Sequence, residues 1–122
     1  MEEMEKKVAK GILIGFKTKE IVEVETNEEG YVDLDELYNK IGCDLVTVVE
    51  FEENIVAWVD DVGLLKSDNF VQKVSYMGFD IQLAGNILFL GTTEEGDSVG
   101  LTELELEHMM SSLSTELVGF VR

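Results

Sequence analysis

The chain of 122 residues has the length of one domain, and its 45% apolar share is that of a packed globular core rather than of a disordered acidic tail. Nine Lys and Arg stand against 26 Asp and Glu, a formal charge of −17 at pH 7 that repels phosphate backbones and anionic lipid alike. Direct nucleic-acid binding and membrane association are therefore not expected, and no apolar run reaches the roughly 18 residues of a spanning helix.

The start, MEEMEKKVAKGILIGF, carries an acidic leader without a cleavage-site pattern, so it does not read as a signal peptide. Residues 1–7 are expected to be a flexible N-terminus of a single domain spanning 1–122. Proline is absent, which leaves turns to Gly, Asn and Asp.

Residues 8–16 (VAKGILIGF) and 20–26 (EIVEVET) read as two strands joined by a turn at Lys17-Thr18-Lys19, with Glu20, Glu23 and Glu25 facing outward. A turn at Asn27–Gly30 leads to a short helix. Asp33 is placed to cap it, Glu36 follows three residues on as in a capping box, and Leu34, Leu37, Tyr38 and Ile41 form its apolar stripe. Gly42 is positioned to end the helix in a left-handed conformation.

Residues 45–51 (LVTVVEF) and 55–59 (IVAWV) form the clearest hairpin pattern, with Glu52, Glu53 and Asn54 between them. Asp60–Gly63 reads as a tight turn, and 64–83 as a short helix plus a loop lying over the sheet. After a turn at Gly85-Asn86, the run Ile87–Leu90 (ILFL) reads as a buried strand closed by Gly91.

Residues 92–100 read as an acidic, Gly-rich loop. Thr102 and Glu105 repeat the capping-box pattern at the start of a helix of about ten residues, with Leu106, Met110, Leu113 and Leu117 at helical spacing. The tail LVGFV has the character of an edge strand. These elements predict an α+β fold: a mostly antiparallel sheet of five or six strands with two or three helices.

Candidate chemistry is sparse. Asp60-Asp61 after a strand, with Glu94, Glu95 or Asp97 as partners, is the arrangement a divalent cation site needs, but adjacency in sequence more often marks a solvated turn whose Asp caps backbone amides. Asp33–Glu36 lacks the twelve-residue calcium-loop spacing. His108, the only histidine, has no nucleophile elbow near Ser98 or Cys43 to serve, and reads as a surface or boundary residue. Cys43 is the only cysteine, so no internal disulfide forms, and its place at a helix C-terminus points to a buried, inert thiol. Gly85, Gly91, Gly96 and Gly100 match neither the Rossmann fingerprint nor the P-loop. Trp58, Phe70, Tyr76 and Phe79 read as core. No cofactor and no metal are expected.

What remains is charge. Between Glu20 and Leu65 there are fourteen acids and one base, Lys40, and between Val74 and Val121 eight acids and no base. A solvated surface that aids solubility is the bland explanation. The functional one is an anionic face, with Asp60, Asp61, Glu94, Glu95, Asp97, Glu103 and Glu107 as its candidates, that docks on a basic surface and speeds association. The runner-up is a pocket for a signalling nucleotide, for which Lys66, Asn69, Lys73 and Asn86 are the candidate lining.

Asp60, Asp61, Gly63 and Asn69, then Gly85, Asn86 and Gly91, then Leu101, Thr102 and Glu105 give the second half a pattern of its own: an acidic-Gly turn, a Gly-Asn-hydrophobic-Gly strand, and a Leu-Thr-x-x-Glu helix. Over residues 30–113 the chain resembles a family of small phage and mobile-element proteins known only as a domain of unknown function. In that family proline commonly precedes the downstream Asn, where this chain has Asp68. The resemblance implies an α+β fold, a phage or prophage origin and the cytoplasm of an infected or lysogenic bacterial host; it implies no reaction. Together with the charge, it leads to the expectation of a non-catalytic, anti-defence type of protein that binds and inhibits a host protein, with sequestration of a signalling nucleotide as the alternative.

Overall fold

The computed structural model describes residues 8–52, 54–66 and 69–121. In chain order these build β1 (Val8–Gly15), β2 (Thr18–Glu25), α1 (Leu34–Ile41), β3 (Val46–Glu52), β4 (Ile55–Asp60), a 3-10 turn (Gly63–Leu65), β5 (Phe70–Tyr76), β6 (Phe79–Ala84), β7 (Ile87–Thr92), β8 (Ser98–Val99), α2 (Glu103–Ser112) and β9 (Ser114–Phe120). The expected residues 1–7 terminus and Glu53 of the hairpin loop lie outside the described residues.

The α+β class holds. One sheet runs β2-β1-β7-β4-β3, with β8 paired to β7; a second, smaller sheet runs β6-β5-β9, and every pairing is antiparallel. The run ILFL sits at the centre of the larger sheet because both of its faces are covered. Ile87 and Phe89 point into one core, with Ile12, Ile14, Val74, Tyr76, Met109 and Leu113. Leu88 and Leu90 point into another, with Val24, Leu37, Ile41 and Cys43. The larger sheet is thus a middle layer, with α1 on one side and the smaller sheet plus α2 on the other. Fully burying an aliphatic or aromatic side chain of this size contributes about 1.5–3 kcal/mol, so the four core residues of β7 anchor all three layers.

Three polar contacts lock the layers in register. Gln72, 1% exposed in β5, donates through Nε2 to the Gly15 carbonyl at 2.7 Å. The Tyr76 hydroxyl donates to Glu52 Oε1 at 2.6 Å. Lys19 Nζ donates to the carbonyls of Met110 and Leu113 at 2.9 and 2.8 Å, closing the C-terminal end of α2 with a positive charge.

Several expectations need correcting. The first hairpin turns at Phe16-Lys17, Lys17 being left-handed (φ 58°), and Lys19 lies within β2. Asp33 occupies the N-cap of α1 without a side-chain cap bond, and Glu36 instead accepts the backbone N–H of Glu25 at 2.7 Å, covering the open edge of β2. Gly42 does end α1 left-handed, at φ 80°. The segment 64–83 is no helix: apart from the 3-10 turn it is the β5–β6 hairpin, tightened at Met77-Gly78, where both φ angles are positive as a two-residue primed turn requires. Residues 92–100 are not an open loop but a hairpin, with Thr93 N–H donating to the Asp97 carbonyl at 2.9 Å and β8 paired to β7. At α2 the capping box of Thr102 and Glu105 is fully formed. The core stripe of that helix is Leu106 and Met109; Met110 packs against it from the margin, and Leu117 belongs to β9, the edge strand that the tail LVGFV foreshadowed.

Candidate functional site

The seven acidic candidates fall in three places. Val59 pairs with Ile87 and Ile55 with Gly91, so Asp60-Asp61 leave one end of β4 while Glu94, Glu95 and Asp97 sit beyond the opposite end of β7. Four residues of strand, roughly 13 Å, lie between those ends before the turns begin. The two groups do not converge on one ion, and among the described residues no group of three or more His, Cys, Asp or Glu is arranged to hold a metal. Asp60 acts within its own turn, where Oδ1 accepts the Val62 N–H at 3.0 Å and Oδ2 pairs with Lys66 at 2.5 Å. That hydrogen bond holds the Lys66 ammonium above its ordinary pKa.

Glu103 and Glu107 lie on the exposed side of α2, four residues apart on one face. Between α2 and the edge strand β2 runs a groove of about 850 Å³, with Ile21, Leu104, Leu106 and Met110 as its apolar surface and Glu103, Glu107, His108 and Lys10 around it. Leu104 is 78% exposed and Ile21 47%, unusual for large aliphatic side chains that flank one cleft. Glu23 follows Ile21 on the same side of β2. Lys19, which ties α2 to β2, fixes the width of this groove at its far end.

The four candidates for a nucleotide pocket each already have a partner within the fold. Lys66 is paired with Asp60, and Lys73 on β5 with Glu116 on β9 at 3.4 Å. Asn69 donates through Nδ2 to the Gly63 carbonyl at 3.0 Å, and Asn86 to the Ile41 carbonyl at 3.1 Å, bracing the ends of the 3-10 turn and of α1.

The residues with nucleophile or base chemistry are apart as well. Cys43 is buried in the core on the α1 side and donates its thiol to the Leu45 carbonyl at 3.4 Å; burial, then the nearby Asp60 carboxylate, pushes its pKa up and away from the reactive thiolate. His108 is exposed on the α2 side, edge-on to the Tyr76 ring at 5.8 Å. Burial, followed by the bond to Glu52, raises the Tyr76 phenol well above its ordinary range.

Sequence reading passed over a second cleft. Cross-strand partners share a face, so Val48 and Glu50 of β3, Trp58 and Val56 of β4, and Leu88, Leu90 and Thr92 of β7 line up on the α1 side of the sheet. Leu88 and Leu90 lie in the core that α1 closes; beyond it the 93–97 turn borders a cleft of about 670 Å³. Val48, Val56 and Trp58 line it together with Glu50, Asn54 and Glu94. The Trp58 Nε1–H is enclosed and has no acceptor among the described residues. The one hint in the sequence was Glu50, an acid whose alternation places it on the face of Val48 rather than on that of Val49 and Phe51.

Fold and clefts together define a small, acidic, antiparallel α+β domain with a helix-flanked edge groove and no assembled catalytic set among its described residues. The family model described as a domain of unknown function (DUF3846) matches residues 10–114, and the chain belongs to that family. No curated protein and no solved structure matches the chain. No helix among the described residues is long and apolar enough to cross a membrane.

Proposed function

We propose that this is a non-catalytic binding protein of phage or mobile-element origin that docks on, and inhibits, a host protein with a basic surface, such as a defence or nucleic-acid-handling protein. The docking face is the groove between α2 and β2. Its support is one observation: the exposed aliphatic side chains Ile21 and Leu104 lie in the same groove as Glu103 and Glu107. Partner interfaces combine an apolar centre with a charged rim in this way. The −17 charge of the whole chain adds long-range attraction for a cationic counterpart and repels the nucleic acid that such a counterpart would otherwise hold. Asp60, Asp61, Glu94, Glu95 and Asp97 lie outside this groove and add to the long-range field.

The test is retention of a basic bacterial protein on the immobilised domain at about 50 mM salt and its release by about 500 mM, where screening shortens to a few ångströms. Glu103→Lys with Glu107→Lys abolishes retention and inhibition, Leu104→Asp weakens both, and Asp33→Lys with Asp35→Lys on the far side leaves binding in place. A salt-insensitive partner, or equal loss from both charge reversals, contradicts the reading.

A further inference from the structure

The groove between α2 and β2 is bounded on one side by a strand edge, and that edge is open over a defined stretch. Among the described residues β2 is the last strand of the larger sheet, paired with β1 alone. Gly15 and Thr18 flank the two-residue turn of the β1–β2 hairpin. The backbone groups of Thr18, Glu20, Val22 and Val24 therefore point at β1, and those of Lys19, Ile21, Glu23 and Glu25 point away from it. The Glu25 N–H donates outward to Glu36, in keeping with this alternation, and closes that end of the edge. The N–H and C=O groups of Ile21 and Glu23 meet no hydrogen-bond partner among the described residues. An exposed backbone row of this kind accepts an added strand.

The side chains of the same residues lie on the α2 side. Lys10 pairs with Glu23, Ile12 with Ile21 and Ile14 with Lys19, and Ile12 and Ile14 belong to the core that α2 covers. α2 runs antiparallel to β2, because the Leu101 N–H donates to the Lys10 carbonyl just before the helix begins and Lys19 binds the carbonyls at its end. Ile21 thus shares the groove with Leu104 and Met110, while Glu23 lies towards the end where Glu103 and Glu107 stand. Three carboxylates meet one ammonium there, that of Lys10, so the vacant strand position calls for a cationic segment. A second copy of this chain is disfavoured, since pairing edge to edge brings two charges of −17 together.

We propose that the partner enters this groove as an extended segment that pairs antiparallel with β2, an aliphatic residue opposite Ile21 and a Lys or Arg opposite Glu23. This pairing presupposes the docking role of the groove stated above and adds the form in which the partner is read. Main-chain bonds to Ile21 and Glu23 supply affinity, and side chains two residues apart supply selectivity.

The intact protein is titrated calorimetrically at about 0.15 M salt, which suppresses diffuse attraction, with the synthetic peptide acetyl-RTKTVTS-amide. Its valine falls opposite Ile21 and its lysine opposite Glu23. Two further peptides carry one N-methyl group each, on the valine or on the threonine that follows it. Charge and side chains are the same in both, but only the valine N–H points at β2 in an antiparallel pair. The expected result is saturable binding that N-methylation of the valine weakens roughly tenfold or more, while N-methylation of the threonine leaves it within about threefold. Glu103→Gln with Glu107→Gln weakens the unmodified peptide roughly fivefold, and Asp33→Asn with Asp35→Asn leaves it within about twofold. Equal affinities of the two methylated peptides, the reverse order, or equal weakening by the two double variants overturns the strand pairing. A mass that doubles with protein concentration and falls when peptide is added assigns the edge to a second copy and overturns it too. If no peptide binds while a basic protein is still retained through Glu103 and Glu107, docking stands and strand pairing is refuted; loss of that retention as well refutes both.

Discussion

Lys19 joins the edge strand β2 to the end of α2, and its replacement measures how far one ammonium holds that helix in place. Nζ donates to the carbonyls of Met110 and Leu113 at 2.9 and 2.8 Å. A hydrogen bond to a charged group contributes about 1.5–3 kcal/mol net, and a cation at a helix C-terminus adds about 0.3–1 kcal/mol. The two bonds share one partly solvated ammonium, and carbonyls at a helix end regain water when it is lost, so the contributions do not add in full. Lys19→Met, which keeps the apolar stem, is expected to destabilise the fold by about 2 kcal/mol. For a chain of this length that lowers Tm by about 8 °C. Lys19→Glu turns attraction at the carbonyl end into repulsion and costs about 1 kcal/mol more. Urea unfolding followed by far-ultraviolet circular dichroism measures both. A loss below about 0.5 kcal/mol for Lys19→Met, or identical midpoints for the two variants, refutes the assignment.

Three further outcomes follow from other contacts. The Tyr76 phenol is held protonated by burial and by its bond to Glu52, so the folded state keeps a proton that the unfolded state releases near pH 10. The resulting stability is complete below pH 10 and declines as pH rises above it; ultraviolet titration should show Tyr76 ionising only as the fold is lost. Tyr76→Phe should cost about 1–2 kcal/mol at neutral pH and flatten that alkaline decline. Cys43, buried and with its pKa pushed up, should react with an aromatic disulfide reagent at pH 8 far more slowly than after unfolding in urea; equal rates would contradict its burial. A Cβ on Gly11 would stand 2.6 Å from the Phe89 carbonyl oxygen and 2.8 Å from Leu90 Cδ2, so Gly11→Ala should cost roughly 2–3 kcal/mol, whereas Gly119→Ala, with nothing within 4 Å, should stay within about 0.5 kcal/mol by thermal denaturation.

The elements legible in the sequence were those whose signals are local. The β3–β4 hairpin, the buried strand ILFL, the Gly42 terminus and the Thr102–Glu105 box each rest on a few neighbouring residues, and each is where it was expected. The β5–β6 hairpin escaped because its turn is Met77-Gly78 rather than Asn-Gly, and because Gln72 and Lys73 interrupt the apolar pattern. Gln72 is nonetheless buried, and its amide nitrogen donates to Gly15, 57 residues away. Glu36 misled for a related reason: its spacing matches a capping box, but the backbone N–H of Glu25 donates to its carboxylate. Charge was legible in amount and not in place. Whether Asp60 and Glu94 meet depends on the β4–β7 register, which no short-range pattern contains.

The position of β7 also governs how the chain matures. Its residues pair with Ile12 on one side and with Val59 and Ile55 on the other, so the strand that unites the layers emerges long after both of its neighbours. Until Ile87–Thr92 has been synthesised, β1 and β4 each present an unsatisfied backbone row beside aliphatic side chains, the condition under which nascent chains stick to one another. Folding is accordingly expected to be slow and late on the ribosome, with the dense negative charge as an electrostatic guard that keeps half-made copies apart.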